Sequence, residues 1–250
     1  MNNDTINGEN NENILEQDSP EQSLEEPPKK KRKNKTKKKK KKKSNRHNGI
    51  NFGIGTLMLV VFCAFLLVIS TFLQLNITHL IIPAKLFSGK PLTPEDFLFT
   101  IKYIPQVPAA LFAVGLLGRR YGSLSIVLYI MIGLFFMPVF ALGGGLRYIL
   151  AYGFGYILAY LPAGIILGSV LKKDYSYKNV AKAVFFGVLT IHLIGIIYMT
   201  AIAYFNHAGI NFVTNWIVSQ SGIKIIYDFI FSYLIILFAK YARIILWFYL

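Results

Sequence analysis

From Ile50 onward the chain is a succession of apolar runs broken by short polar stretches. The runs fall at about 52–75, 101–118, 123–141, 149–171, 180–205 and 223–247. Each approaches the ~20 mostly apolar residues that a helix needs to cross a bilayer. The pattern predicts an all-α membrane protein, a bundle of six transmembrane helices. Residues 76–100 are semi-apolar and carry Pro83, Pro91 and Pro94, which predicts a short re-entrant or interfacial piece. Residues 1–48 reverse the pattern. They hold an acidic Asn/Glu-rich part and then a lysine block, and neither can bury enough surface to fold. The expected organisation is a disordered tail, 1–48, ahead of a six-helix transmembrane domain, 49–250.

The punctuation between Leu111 and Gly168 is denser than spanning requires. Glycine, proline and arginine interrupt the runs, and Gly143, Gly144 and Gly145 stand together before Leu146, Arg147 and Tyr148. Irregular backbone at membrane depth is tolerated only where it is buried in protein or lines a cavity. The segment therefore predicts a protein that holds something polar.

Charge adds orientation. The net charge is +15, but 14 of the 27 basic residues lie between Lys29 and Arg46, and eight of the 12 acids lie between Asp4 and Glu26. Pro27 to Lys35, PPKKKRKNK, fits a nuclear-import or nucleic-acid tail as a pattern. With several spans behind it, a cytoplasmic anchor on anionic lipid is the better reading, and no nucleic acid is expected. The tail also lacks the features of a cleavable signal peptide. Arg119, Arg120, Lys172, Lys173, Lys178, Lys182, Lys240 and Arg243 fall on the same side as the tail if the N-terminus is inside. Cytoplasmic loops carry such an excess, so both termini are expected in the cytoplasm and the chain in the plasma (inner) membrane. The GGGLRY loop and the linker 206–222 then face outward with 76–100.

Few side chains in the spans can carry chemistry. Asp228 is the sole acid inside a predicted span. A carboxylate there costs ~3 kcal/mol on insertion scales, so it should face the interior and have a partner. Lys224, one turn earlier, is one partner; a bound ligand is the other reading. Arg147 with the amides of Gly143, Gly144 and Gly145 suits a carboxylate; an interfacial arginine on a mobile loop is the alternative. Tyr129 and Tyr156 are either packing residues or cavity lining. His192 reads as a hydrogen-bonded packing residue, and with no second ligand at metal spacing a zinc site is rejected. His79 and His207 fall near the outer interface and say nothing specific. Cys63 reads as a small apolar packing residue. Gly153, Gly155, Gly164, Gly168, Gly187 and Gly195 predict close helix approach. There is no phosphate-binding P-loop, no GxSxG and no HExxH. No enzymatic activity, metal or cofactor is expected.

Three segments carry a family resemblance. YIPQVPAALF at Tyr103 to Phe112, LLGRRYGSLSIVLY at Leu116 to Tyr129 and GLFFMPVFALGGG at Gly133 to Gly145 resemble the BioY family, as do FGY at Phe154 to Tyr156 and LPAG at Leu161 to Gly164. The resemblance runs from about Leu92 to Leu246. It implies a biotin-binding S component of an energy-coupling-factor transporter. Such a component has a biotin pocket near the outer face and works with a membrane coupling protein and two cytoplasmic ATPase subunits. Asp228 could accept the ureido N–H groups, Arg147 could meet the valerate carboxylate, and Tyr129 or Tyr156 could wall the thiophane ring. On this reading Asp228→Ala and Arg147→Ala each weaken biotin binding more than tenfold. The chain departs from the family in YGFGY at Tyr152 to Tyr156, and in Phe231 where a lysine often follows the acid. The second departure shifts weight to Arg147 or Lys224. The docking face on the first span, which holds Gly53, Gly55 and Ala64, is unassigned. Two alternatives stand: an S component for another vitamin or a biotin precursor, and a membrane-anchored scaffold with a lipid- or nucleic-acid-binding tail.

Overall fold

The structure, a computed structural model, describes residues 53–89 and 91–249. The predicted disordered tail and both readings of its lysines lie outside these residues. In chain order the elements are α1 (Ile54–Phe72), β1 (Leu75–Leu80), β2 (Leu98–Tyr103), α2 (Gln106–Met131), α3 (Phe154–Leu171), α4 (Tyr177–Phe205), α5 (Ile210–Ser221) and α6 (Lys224–Tyr249).

The first helix shows why these sequences fold as they do. Val60, Cys63, Ala64, Leu67, Ser70 and Thr71 are buried, and they recur every three or four residues. That spacing places them on one stripe of a helix. The opposite stripe, with Phe62, Phe65 and Phe72, is exposed, as a lipid-facing surface is. Cys63 packs with Ala113, Leu116 and Ala239, so its role is small apolar filling.

Among the described residues five helices are long and apolar enough to cross a membrane, where the sequence predicted six. The difference lies in the second, Gln106–Phe136, which takes in most of both the 101–118 and the 123–141 runs. It is not straight. Gly118 has φ 79° and ψ 174°, a non-helical conformation that glycine adopts without steric cost. The chain doubles back there. A Cβ on Gly122 would lie 2.4 Å from the Cα of Val114. Gln106 Nε2 donates to the Tyr129 hydroxyl at 2.9 Å, although 23 residues of straight helix would separate them by ~34 Å. The predicted break is therefore present as a turn between two antiparallel segments. The outer ends are trimmed: residues 101–103 belong to β2, and a π-helical turn closes the second segment at Phe136.

Two further expectations change. The 76–100 region is an antiparallel β-hairpin pairing Leu75 with Tyr103 and Leu80 with Leu98. Its three prolines sit in the connection, leaving LNITHL and LFTIKY free to pair. The supposed linker 206–222 contains α5, twelve residues from Ile210 to Ser221. The remaining spans match closely. Asn179 N donates to the Ser176 hydroxyl to cap α4, and α3 packs on α4 through two reciprocal glycine–tyrosine contacts. A Cβ on Gly155 would meet Tyr198 at 2.3 Å, and one on Gly195 would meet Tyr156 at 2.5 Å. The small residues let the helices approach and seat both rings.

Candidate functional site

At the end of the bundle where α2, α3 and α6 begin lies a cavity of about 380 Å³. Each neighbouring element contributes a polar side chain to its wall. β2 supplies Lys102 and Tyr103, α2 Gln106, α3 Tyr156 and Tyr160, α4 His192, α5 Trp216 and Gln220, and α6 Lys224 and Asp228. Ile104, Val107, Leu142 and Ile157 make apolar wall between them. A mostly apolar concavity with a few convergent polar groups is the usual form of a small-molecule site.

Asp228 is its electrostatic centre, with 4% of its surface exposed. The Tyr103 hydroxyl donates to Oδ1 at 2.7 Å, and His192 Nε2 lies 3.1 Å from Oδ2. His192 Nδ1 lies 2.9 Å from Ser221 Oγ, which lies 2.9 Å from the Tyr156 hydroxyl. One donor assignment satisfies the whole chain with a neutral imidazole. Tyr156 donates to Ser221, Ser221 to Nδ1, and Nε2–H to the carboxylate. Burial first, then the Asp228 charge and the hydrogen bond between them, push the Tyr103 hydroxyl well above its ordinary titration range. It stays a donor at any physiological pH. Two bonds leave a carboxylate with about two further lone-pair directions, so Asp228 is held in place with capacity to spare.

The floor is a second network. Gln106 Nε2 donates to Thr71 Oγ1 at 2.7 Å and to Tyr129, and its Oε1 accepts from Tyr160 at 3.2 Å. This ties α1, both halves of α2 and α3 together and consumes the amide. In contrast, Trp216 Nε1 is buried and has no hydrogen-bond partner among the described residues. An unpaired buried donor costs roughly 1–3 kcal/mol, and this one belongs to a residue on the cavity wall. The hairpin is fastened to the same place, since His79 Nε2 lies 2.9 Å from the Tyr227 hydroxyl on α6.

The residues singled out by sequence therefore separate into groups. Asp228, Lys224 and Tyr156 line the cavity. Tyr129 is fully buried behind it, one hydrogen bond away through Gln106. Arg147 is exposed, and neither it nor Gly143, Gly144 and Gly145 is in the lining; that loop contributes Ala141, Leu142 and Tyr148 instead. Lys224 does not pair with Asp228; its Nζ is 3.4 Å from Gln220 Oε1. His192 lines the cavity and bonds to Asp228, where the sequence suggested a hydrogen-bonded packing residue. Tyr103, Lys102 and Trp216 were missed. Trp216 had one available signal, a tryptophan in a stretch otherwise taken for a linker. Among the described residues no group of three His, Cys, Asp or Glu side chains could hold a metal ion.

The fold is similar to the crystal structure of the S-component for biotin from an ECF-type ABC transporter, with a TM-score of 0.56 at 22% identity, covering 76% of this chain and 91% of that one. In sequence the chain is similar to a probable biotin transporter BioY of Lysinibacillus sphaericus, 35% identical over 104 residues. That match covers 38% of this chain and spans about half, 53%, of the relative's length. The BioY family model matches residues 38–246, most of the chain, so this membrane protein belongs to the BioY family.

Proposed function

We propose that the chain is a biotin-uptake component that binds the vitamin in the cavity around Asp228. The observation that carries this is a buried carboxylate with spare acceptor capacity beside an unpaired Trp216 N–H and two lysines. Biotin offers the matching groups. Its ureido ring has two N–H donors for Asp228 and one carbonyl acceptor for a donor such as Trp216. Its carboxylate suits Lys102 or Lys224, which line the wall where Arg147 does not. Tyr156 and Trp216 provide aromatic surface for the thiophane ring. Membership of the BioY family supports the same ligand.

The reversal at Gly118 supports six crossings: α1, residues 106–117, residues 119–136, α3, α4 and α6. An even count returns the C-terminus to the side of the N-terminus. The basic residues gather near the Gly118 turn, the α3–α4 connection and the end of α6, which supports cytoplasmic termini in the plasma membrane and an outward cavity. The resemblance to the BioY family implies the energy source, a membrane coupling protein and two cytoplasmic ATPase subunits. The deciding experiment is calorimetry on the detergent-purified protein with biotin, desthiobiotin, thiamine and riboflavin. Tight binding of biotin alone carries the proposal. Preference for a precursor or another vitamin moves it to that ligand, and no binding by folded protein rejects it.

A further inference from the structure

The far end of the bundle holds a second pair of concavities. α6 runs from Asp228 at the cavity to Arg243, 15 residues on, which is ~22 Å of helix. There a groove of about 720 Å³ opens between α1, α2 and α6, walled by Leu59, Leu116, Leu117 and Ile244. Beside it lies a recess of about 520 Å³ that holds Arg119, Arg120, Lys172, Lys173 and one acid, Asp174. Leu117, Tyr121, Tyr175 and Arg243 line both, so the apolar groove and the basic recess are continuous.

The recess carries five cations against one acid. Among the described residues none of Arg119, Arg120, Lys172, Lys173 and Arg243 forms a contact salt bridge, the contacts being Lys85 with Asp96 and the hydrogen-bonded pair His192 and Asp228. Asp174 offsets only part of that charge: it feels Lys173 beside it, while its Oδ1 accepts from Ser176 N at 2.9 Å and from Ser176 Oγ at 2.6 Å. Arg243 is fixed at the junction, its guanidinium 5.1 Å over the Tyr175 ring and Nη1 donating to the Tyr175 hydroxyl. Basic residues at a membrane edge are ordinary orientation signals. An apolar trough leading into them is more than orientation requires.

We propose that this end of the bundle binds an anionic phospholipid. The phosphate sits in the recess on Arg119, Arg120, Lys172 and Lys173, and an acyl chain lies along the groove over Leu59, Leu116 and Ile244. The shape argues for a lipid rather than a free anion, because a solute without a chain has no use for the groove. Basic pockets between helices recognise lipid headgroups in this way.

The test uses the full chain in nanodiscs and native mass spectrometry, comparing phosphatidylglycerol with phosphatidylcholine. Wild type should retain phosphatidylglycerol about fivefold better. Arg120→Gln/Lys172→Gln/Lys173→Gln, all at exposed positions, should abolish that preference with an unchanged melting temperature. Leu59→Trp, which fills the groove and spares every cation, should reduce retention too. Inorganic phosphate in excess should displace nothing. Equal retention of the two lipids in wild type overturns the proposal, as does an unchanged preference in the triple variant or displacement by phosphate alone. A triple variant that keeps its lipid preference but no longer assembles with partner subunits would make this a protein interface instead.

Discussion

The two ends of the bundle handle charge in opposite ways. At the cavity end Asp228 is enclosed and bonded to Tyr103 and His192. At the other end Arg119, Arg120, Lys172 and Lys173 are exposed and form no contact salt bridge among the described residues. The contrast follows from solvation. A charge in the low-dielectric interior must be bonded or it neutralises, whereas a charge at the membrane edge keeps its water and can stay open. Burial therefore makes the cavity end specific, and openness makes the other end general.

The strongest test of that contrast is Asp228→Ala. It removes the proposed ligand acceptor and orphans the Tyr103 hydroxyl and His192 Nε2, at roughly 1–3 kcal/mol for each unpaired group. Calorimetry should show biotin affinity reduced more than tenfold, and thermal melting should show a less stable protein. The triple glutamine variant at the opposite end should leave biotin affinity within about twofold, as distant sites act independently. A large loss there would tie the two ends together and end the comparison.

Next in size is Gly195→Ala. The added Cβ falls 2.5 Å from the Tyr156 ring, and overpacking of this kind typically costs about 1–3 kcal/mol. The displaced ring loses Ser221, so both the melting temperature and biotin affinity should fall. An unchanged protein would mean that α3 and α4 are not held as tightly as the contact implies.

Trp216→Phe separates ligand binding from folding. It deletes a donor that has no partner among the described residues, so the ligand-free protein should be as stable or more stable. If the N–H bonds to the ligand, affinity should fall about fivefold, the worth of ~1 kcal/mol. Loss of stability without loss of affinity would place that donor in the fold rather than the site. The smallest effect is expected from Arg147→Ala, within about twofold, because an exposed side chain outside the wall makes little of the binding energy. A loss above tenfold would bring the GGGLRY loop onto the ligand, as the sequence alone suggested.

The legible parts of the fold share one property: their signal is local. The 3.6-residue apolar stripe of α1, the apolar run of α4 and the breaks around Gly118 and Gly143 can all be read within a few turns. The hairpin was less legible because its strands are six residues each and separated by a proline-bearing connection. α5 was taken for a linker because Asn211, Thr214, Asn215, Ser219, Gln220 and Ser221 break up its apolar run. Within the site, Asp228 was legible because an acid among apolar neighbours needs an explanation on its own. His192 was not, because a single histidine in an apolar helix looks the same whether it packs or braces a carboxylate.

The sequence by itself determined that this chain lies in a membrane, where its apolar runs fall, and that Asp228 required a partner. Local composition sets those outcomes, since each segment must satisfy its own backbone and match its own solvent. Only the tertiary structure decided which partner. Lys224 is four residues away and bonds elsewhere, while Tyr103 and His192 are 125 and 36 residues away and bond to Asp228. The pairing depends on how β2, α4 and α6 converge, and that convergence comes from packing across the whole bundle, which no local pattern encodes.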